Sequence, residues 1–367
     1  MVERLAFLLG KDPATSLGGD VTMFHAMRDI ASERYDTEII CLSEQPELEE
    51  PGVLRVGKPP LALPSLAVES LARRRSLLHV RFDVDGLREA VEQSSADRFV
   101  ALHCHLAEAY LRARDVRPDQ DLFVSTEILE STVWGQTHGL AGRIEARRLR
   151  RDERRVAGAA RAVAGYDRDE MDEFRATGID AHWLPMTLPP ATPVDVASTP
   201  PRIVMLGNRT WRPNAEAADT IMRLWPRIAA DVPDAELWLV GPRPDDVAVD
   251  LPAGVRDLGM VEDMDAVLDD CRALTAPVGV GGGVRVKLLE AAARGLPVVC
   301  TTEAVGSIEA SIGMTATPDE DAFVARCREL LLDADLAAGE GSRLHATNAS
   351  RWSDRVGQDA VLGWLGA

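Results

Sequence analysis

The 367-residue sequence predicts two doubly wound, parallel-sheet α/β domains facing across a cleft. Three observations predict it. Short apolar runs alternate with longer amphipathic stretches along the whole chain. The runs end in Gly, Pro or a polar turn, as buried parallel strands do. And one central stretch, PMTLPPATPVDVASTPP (185–201), holds six prolines in 17 residues without helical period, which reads as a linker over 186–201.

The N-terminal domain, 1–185, takes its strands from RLAFLLG (4–10), TEIICLS (37–43), RFVALHCH (98–105), DLFVSTE (121–127) and RAVAGY (161–166). The C-terminal domain, 202–350, alternates more cleanly. Its strands are RIVMLG (202–207), AELWLVG (235–241), GVRDLG (254–259), ALTAP (273–277) and PVVCT (297–301), with helical patterns at 214–231, 263–271 and 284–294. In the tail, Trp352, Val356, Ala360, Val361 and Trp364 recur at helical spacing, and a helix this short must pack on something. Ligands of such sheets sit at the carboxyl ends of the strands.

Composition excludes several function classes. A net charge of -18 excludes broad nucleic-acid binding, which needs a basic footprint. No stretch approaches the ~20 apolar residues of a membrane span, and the run Leu5–Leu9 is too short for a secretory signal; a local peripheral membrane contact stays open. Cys41, Cys104, Cys271, Cys300 and Cys327 lack metal-like spacing and read as reduced core residues of a cytoplasmic protein. The chain has three lysines, Lys11, Lys58 and Lys287, against 38 arginines (41 basic residues less three). Each lysine therefore invites a reason.

The most informative segment is PVGVGGGVRVKLLEAAARGLPVVCT (277–301). A strand ends, a glycine run including Gly282 and Gly283 follows, and a helix starts with Arg285 and Lys287 in its first turn. Glycines let backbone approach a ligand, and a helix N-terminus favours an anion. Two cations there oppose the helix dipole unless an anion compensates. Glu290, one turn beyond Lys287, is placed to accept from adjacent ribose hydroxyls. A second segment, GNRTWRPN (207–214), puts Arg209 at a strand end within reach of a phosphate; the alternative is a plain strand–helix turn. In a third, SLGGDVTMFHAM (16–27), Gly18 and Gly19 open a helix and either bring backbone to the same anion or form an ordinary loop pair.

Taken in order, G-N-R-T-W-R-P-N, V-G-P (240–242), G-M-V-E-D (259–263) and G-G-G-V-R-V-K-L-L-E-A-A-A-R-G-L-P-V-V resemble successive blocks of glycosyltransferase family 4, retaining enzymes of the GT-B fold. The resemblance is closest over 202–306 and weakens over 1–185. It implies that Gly18, Gly19, Arg209 and Lys287 hold the diphosphate of a nucleotide diphosphate-sugar, with Arg285 as a further phosphate candidate. It implies Glu290 on the ribose, the loop at Met260–Val261 by the base, and a final helix that crosses back to the N-terminal domain. The implied reaction is retaining transfer to an unidentified acceptor, with the leaving diphosphate stabilised by Arg209, Lys287 and a helix N-terminus. No cofactor and no metal are expected.

Two positions depart from the family pattern. Gly282 stands where many members have a first Glu, and VSTEILESTVW (124–134) offers Glu127 and Glu130 but no His. His103 and His105 fall at the end of strand 98–105, two apart and so on one side. His105, nearer the carboxyl end, is a catalytic candidate together with Glu127 and Glu130; His103 is expected to pack locally. The arginine-rich helix 143–155 reads as a solvated face paired with acids, or as a contact for an anionic acceptor or membrane. The rival readings are a non-catalytic nucleotide-sugar-binding subunit and a nucleotide-sugar epimerase on the same fold.

Overall fold

A computed structural model describes residues 2–16, 18–114, 120–244, 250–279 and 285–366. The chain divides into two compact units. The first holds residues up to Leu184 and, from the far end of the chain, Gln358 onward; the second is drawn from 185–279 and 285–357.

The N-terminal unit is built on a seven-stranded sheet: β1 (Arg4–Leu9), β2 (Asp36–Ser43), β3 (Val53–Gly57), β4 (Arg98–Leu102), β5 (Asp121–Thr126), β6 (Ala162–Gly165) and β7 (Ala181–Trp183). The order is β3-β2-β1-β4-β5-β6-β7, every pair parallel. Leu5–Leu9 and Phe99–Leu102 are buried along their whole length, as strands covered on both faces require. Strand order reverses direction at β1 and β4, so the crevice beyond their carboxyl ends is the expected ligand position.

The C-terminal unit repeats the plan with β8 (Arg202–Leu206), β9 (Glu236–Val240), β10 (Val255–Gly259), β11 (Ala273–Ala276) and β12 (Val298–Cys300), ordered β10-β9-β8-β11-β12 and parallel throughout. Its switch point lies between β8 and β11. All five cysteines are buried thiols.

Two segments differ from expectation. The proline-rich stretch is not a free linker. It lies along the C-terminal unit, where Ala191 and Val194 donate backbone N–H to the carbonyls of Ala293 and Arg294, and Asn348 Nδ2 donates to Leu188 O at 2.9 Å. Proline removes donors, but the donors that remain find the free carbonyls ending helix Val286–Ala293. The tail is broken in two. Helix Ala334–Ser353 carries Trp352, and Arg355 at φ 59 interrupts it before helix Val356–Leu365. In the second helix Val361, Trp364 and Leu365 are buried. Trp364 meets Phe123 edge-on at 5.7 Å, and Leu365 O accepts from Tyr35 Oη at 3.1 Å and from Arg98.

Candidate active site

In the C-terminal unit, the cations singled out in the sequence stand at the carboxyl end of β8. Gly207 follows that strand, and a Cβ there would sit 2.8–3.0 Å from the Asn214 amide. Gly241 follows β9 at φ 120, and a Cβ on it would lie 2.2 Å from Gly207 O. Two strand ends therefore run close together, with room for side chains arriving from the neighbouring helices. Helix Val286–Ala293 sends Lys287 to this point; its Nζ donates to Leu206 O at 2.5 Å and to Asn214 Oδ1 at 3.2 Å. Burial, then the charge of Arg285, pull the Lys287 ammonium down to about 8, against the opposing effect of Glu290.

Arg209 reaches the same strand end but is engaged by a partner that its own segment does not announce. Its guanidinium forms a two-pronged ion pair with Asp257 of β10, at 2.6 and 2.9 Å, and donates to Gly241 O at 2.7 Å. Arg243 Nε lies 3.1 Å from the same carboxylate. Burial raises the Asp257 carboxyl, but hydrogen bonds from Arg209 and Gly259 N–H outweigh it and leave the group below its ordinary value. Arg209 Nε is buried with no partner among the described residues. Arg285 is buried, Glu290 half-buried one turn past Lys287, and Val261 half-buried in the loop after β10. Gly282 and Gly283 lie outside the described residues.

In the N-terminal unit, a pocket of about 200 Å³ opens at the switch point beyond β1 and β4. Gly18, at φ 146, caps helix Gly19–Ala31 without a side-chain bond. Asp20 in its first turn pairs with Lys11, which follows β1, at 2.5 Å. The φ of 146 at Gly18 favours glycine, while the nearest atom to a Cβ there, Asp20 Oδ1 at 2.7 Å, is the movable end of a side chain.

Both histidines of the β4 end line this pocket. β4 ends at Leu102, and His103 turns the chain at φ 93, ψ 144 into the short helix Cys104–Leu106, so strand alternation does not extend to His105. A non-glycine residue at such φ is strained and marks a functional candidate. His103 Nε2 lies 4.0 Å from Glu127 Oε2, with the two side chains 19% and 12% exposed, while His103 Nδ1 has no partner among the described residues. His105 is buried, stacked on His103 at 5.2 Å and against Phe82 at 4.4 Å. Burial lowers His103 to about 4 and His105 well below its usual value. Burial raises Glu127 to about 8, helped by Asp20, and Glu130 to about 7, helped by Glu153. Near neutral pH the pocket thus presents a neutral imidazole beside a protonated carboxyl group, able to bond hydroxyls in both directions. Lys11, Asp20 and His103 escaped the sequence reading as site residues. The scarcity of lysine was the available signal for Lys11.

The arginine-rich helix, observed as Gly139–Ala157, pairs arginines with acids as expected, Arg148 with Glu145 at 2.9 Å and Arg154 with Glu173 at 2.8 Å, and adds a second role. Its acids Glu145, Asp152 and Glu153 are buried and cap other helices. Asp152 accepts from Ser76 N at 2.7 Å and Glu145 from Leu77 N, at the start of helix Leu77–Phe82. Glu153 accepts from Ser131 N at 3.0 Å, in the first turn of helix Glu130–Thr137. These two helices supply Leu78, Phe82 and Glu130 to the pocket wall. Among the described residues no three metal-ligating side chains gather as a metal site would require.

Residues 200–333 match the family model of glycosyl transferases group 1. No curated protein is similar to the chain in sequence. Among solved structures, sucrose-phosphate synthase from Thermosynechococcus elongatus is similar over 99% of this chain and 97% of its own, with TM-score 0.74 and 14% identity. WaaG, a glycosyltransferase involved in lipopolysaccharide biosynthesis, is similar over 99% and 100%, with TM-score 0.68 and 14% identity. HepE of Anabaena, in complex with UDP and glucose, is similar over 100% of both chains, with TM-score 0.67 and 13% identity.

The fold is GT-B. In GT-B terms, the two clusters described above occupy the switch points of the two Rossmann-like sheets, and the matched family segment spans β8 to β12 with Arg209, Lys287 and Glu290 inside it.

Proposed function

We propose that this protein is a retaining glycosyltransferase that moves a sugar from a nucleotide diphosphate-sugar to a hydroxyl acceptor without a metal ion. The observation that carries the reading is the convergence of Lys287 and Arg209 at the carboxyl end of β8, inside the segment that matches glycosyl transferases group 1. HepE, similar in fold, has been seen with UDP-glucose, which supports a nucleotide-sugar donor.

In this reading Lys287, Arg209 and Arg285 neutralise the diphosphate as it leaves, Glu290 receives the ribose hydroxyls and Val261 lies by the base. Fixed cations in a site shielded from water stabilise the charge that develops on the leaving group. The Gly18–Gly19 turn at a helix N-terminus is a further anion-binding element. Glu127 and Glu130, with His103 in the part first given to His105, hold hydroxyls in the N-terminal pocket.

Incubation with a panel of nucleotide diphosphate-sugars tests the proposal. Release of nucleoside diphosphate that persists in EDTA is the expected result. Loss of turnover in EDTA with recovery in Mg²⁺ would overturn the metal-free mechanism. Tight binding without release from any donor or acceptor would favour a non-catalytic nucleotide-sugar-binding subunit.

A further inference from the structure

Helix Leu63–Arg73 in the N-terminal unit wears its apolar stripe on the outside. Pro64, Val68 and Leu71 recur at spacings of four and three, which aligns them along one face, and Leu61 lies in the segment leading into the helix. Ser70, on the opposite face, is buried and receives Arg148 Nη2 at 2.7 Å. Leu61, Val68 and Leu71 are 60%, 68% and 70% exposed. Single exposed apolar side chains are ordinary, but a continuous stripe marks an interaction surface.

Side chains of the arginine-rich helix reach the end of this one. Arg148 and Arg151 of helix Gly139–Ala157 bond the carbonyls of Ser70 and Arg74. At the start of that helix Leu140 and Ile144 are 76% and 58% exposed. Its acids all point inward, whereas Arg143, Arg147, Arg150 and Arg151 are exposed. A chain of net charge -18 thus shows solvent here a combination of aliphatic and guanidinium groups.

We propose that this face docks on an anionic lipid bilayer. The Leu61–Leu71 stripe with Leu140 and Ile144 enters the boundary between headgroups and acyl chains, and the neighbouring arginines meet the lipid phosphates. Charge selects this occupant. In a symmetric contact with a second copy, the arginine cluster would be brought against itself. The inference does not rest on the catalytic reading, and its test needs no turnover.

The test is co-sedimentation of the full chain with vesicles of phosphatidylcholine alone and with added phosphatidylglycerol. Binding to the anionic vesicles only, weakened by salt, is expected. Arg143→Gln and Arg147→Gln should each weaken partitioning about five-fold. Val68→Ser with Leu71→Ser should weaken it about ten-fold or more, with far-UV circular dichroism unchanged. No binding to anionic vesicles, equal binding to both vesicle types, or variants that bind like the parent would each overturn the proposal. So would a concentration-dependent dimer abolished by the Val68→Ser, Leu71→Ser pair, which would make a second copy the occupant.

Discussion

Lys287 offers the sharpest test of the donor site, because its environment sets both a magnitude and a pH window. Its ammonium has two oxygen partners, Leu206 O and Asn214 Oδ1, yet burial and Arg285 hold it at about 8 rather than 10.5. The difference corresponds to about 3 kcal/mol of unfavourable charging in the ligand-free protein. A diphosphate beside Nζ favours the charged form, so the pKa rises on binding and a proton is taken up. The sign follows. Below about 8 the lysine is already charged and affinity is full; as pH rises through 8, each further unit costs about ten-fold in Kd until the bound-state pKa is reached. Between pH 7 and pH 9 nucleoside diphosphate binding should therefore weaken about ten-fold, while binding of the bare nucleoside stays level. Lys287→Met should abolish that pH dependence and weaken diphosphate binding at pH 7 by about 1.5–3 kcal/mol. Titration calorimetry at the two pH values, in buffers of different ionisation enthalpy, reads both the affinity and the proton uptake. Parent and variant with the same slope, or no proton taken up near pH 8, would show that the diphosphate does not sit beside Nζ.

Three further outcomes are expected. Arg209→Ala should weaken diphosphate binding and also destabilise the protein by about 1–3 kcal/mol, because Asp257 loses its two-pronged partner but keeps Arg243 and the Gly259 N–H; adding Asp257→Ala should restore part of the melting temperature but none of the affinity, and a double variant that binds like the parent would remove Arg209 from the site. If the Glu127 proton is needed for turnover, the rate should fall as pH rises through about 8, and Glu127→Gln should keep a pH-independent fraction of it, so an unchanged pH–rate profile in that variant would dismiss the role. Trp364→Ala should lower stability in urea by about 3–5 kcal/mol through loss of the packing on Phe123, and a change below 1 kcal/mol would mean the tail helix adds little.

Much of the fold was legible because its strands are unambiguous. β8, β9 and β11 are continuous apolar runs closed by Gly or Pro, and nothing else competes for that pattern. Lys287 was legible for a simpler reason, as one of three lysines in a chain that otherwise uses arginine. What stayed hidden was set by contacts remote in sequence. Asp257 meets Arg209 across 48 residues, from a strand two places away in the sheet that no local pattern names. The acids of the arginine-rich helix do pair with its arginines, but nothing local announces that they also cap helices Leu77–Phe82 and Glu130–Thr137. The turn at His103 stayed hidden because periodicity assumes the strand continues to His105, and it ends at Leu102. The proline-rich stretch lacks a periodic signal, and docking through isolated backbone donors leaves none.

The tail helix has a consequence for how the protein comes into being. Tyr35, Arg98 and Phe123 are synthesised early, yet the groups that complete their surroundings, Leu365 and Trp364, emerge only after every strand of the C-terminal unit. Domains made first ordinarily fold first on the ribosome. Here the first unit to be translated is the last to be finished, and it must wait with an open apolar seam until its closing helix arrives. Stalled or truncated nascent chains would expose that seam, which makes them natural clients for chaperones and for proteolysis while the second unit is already whole.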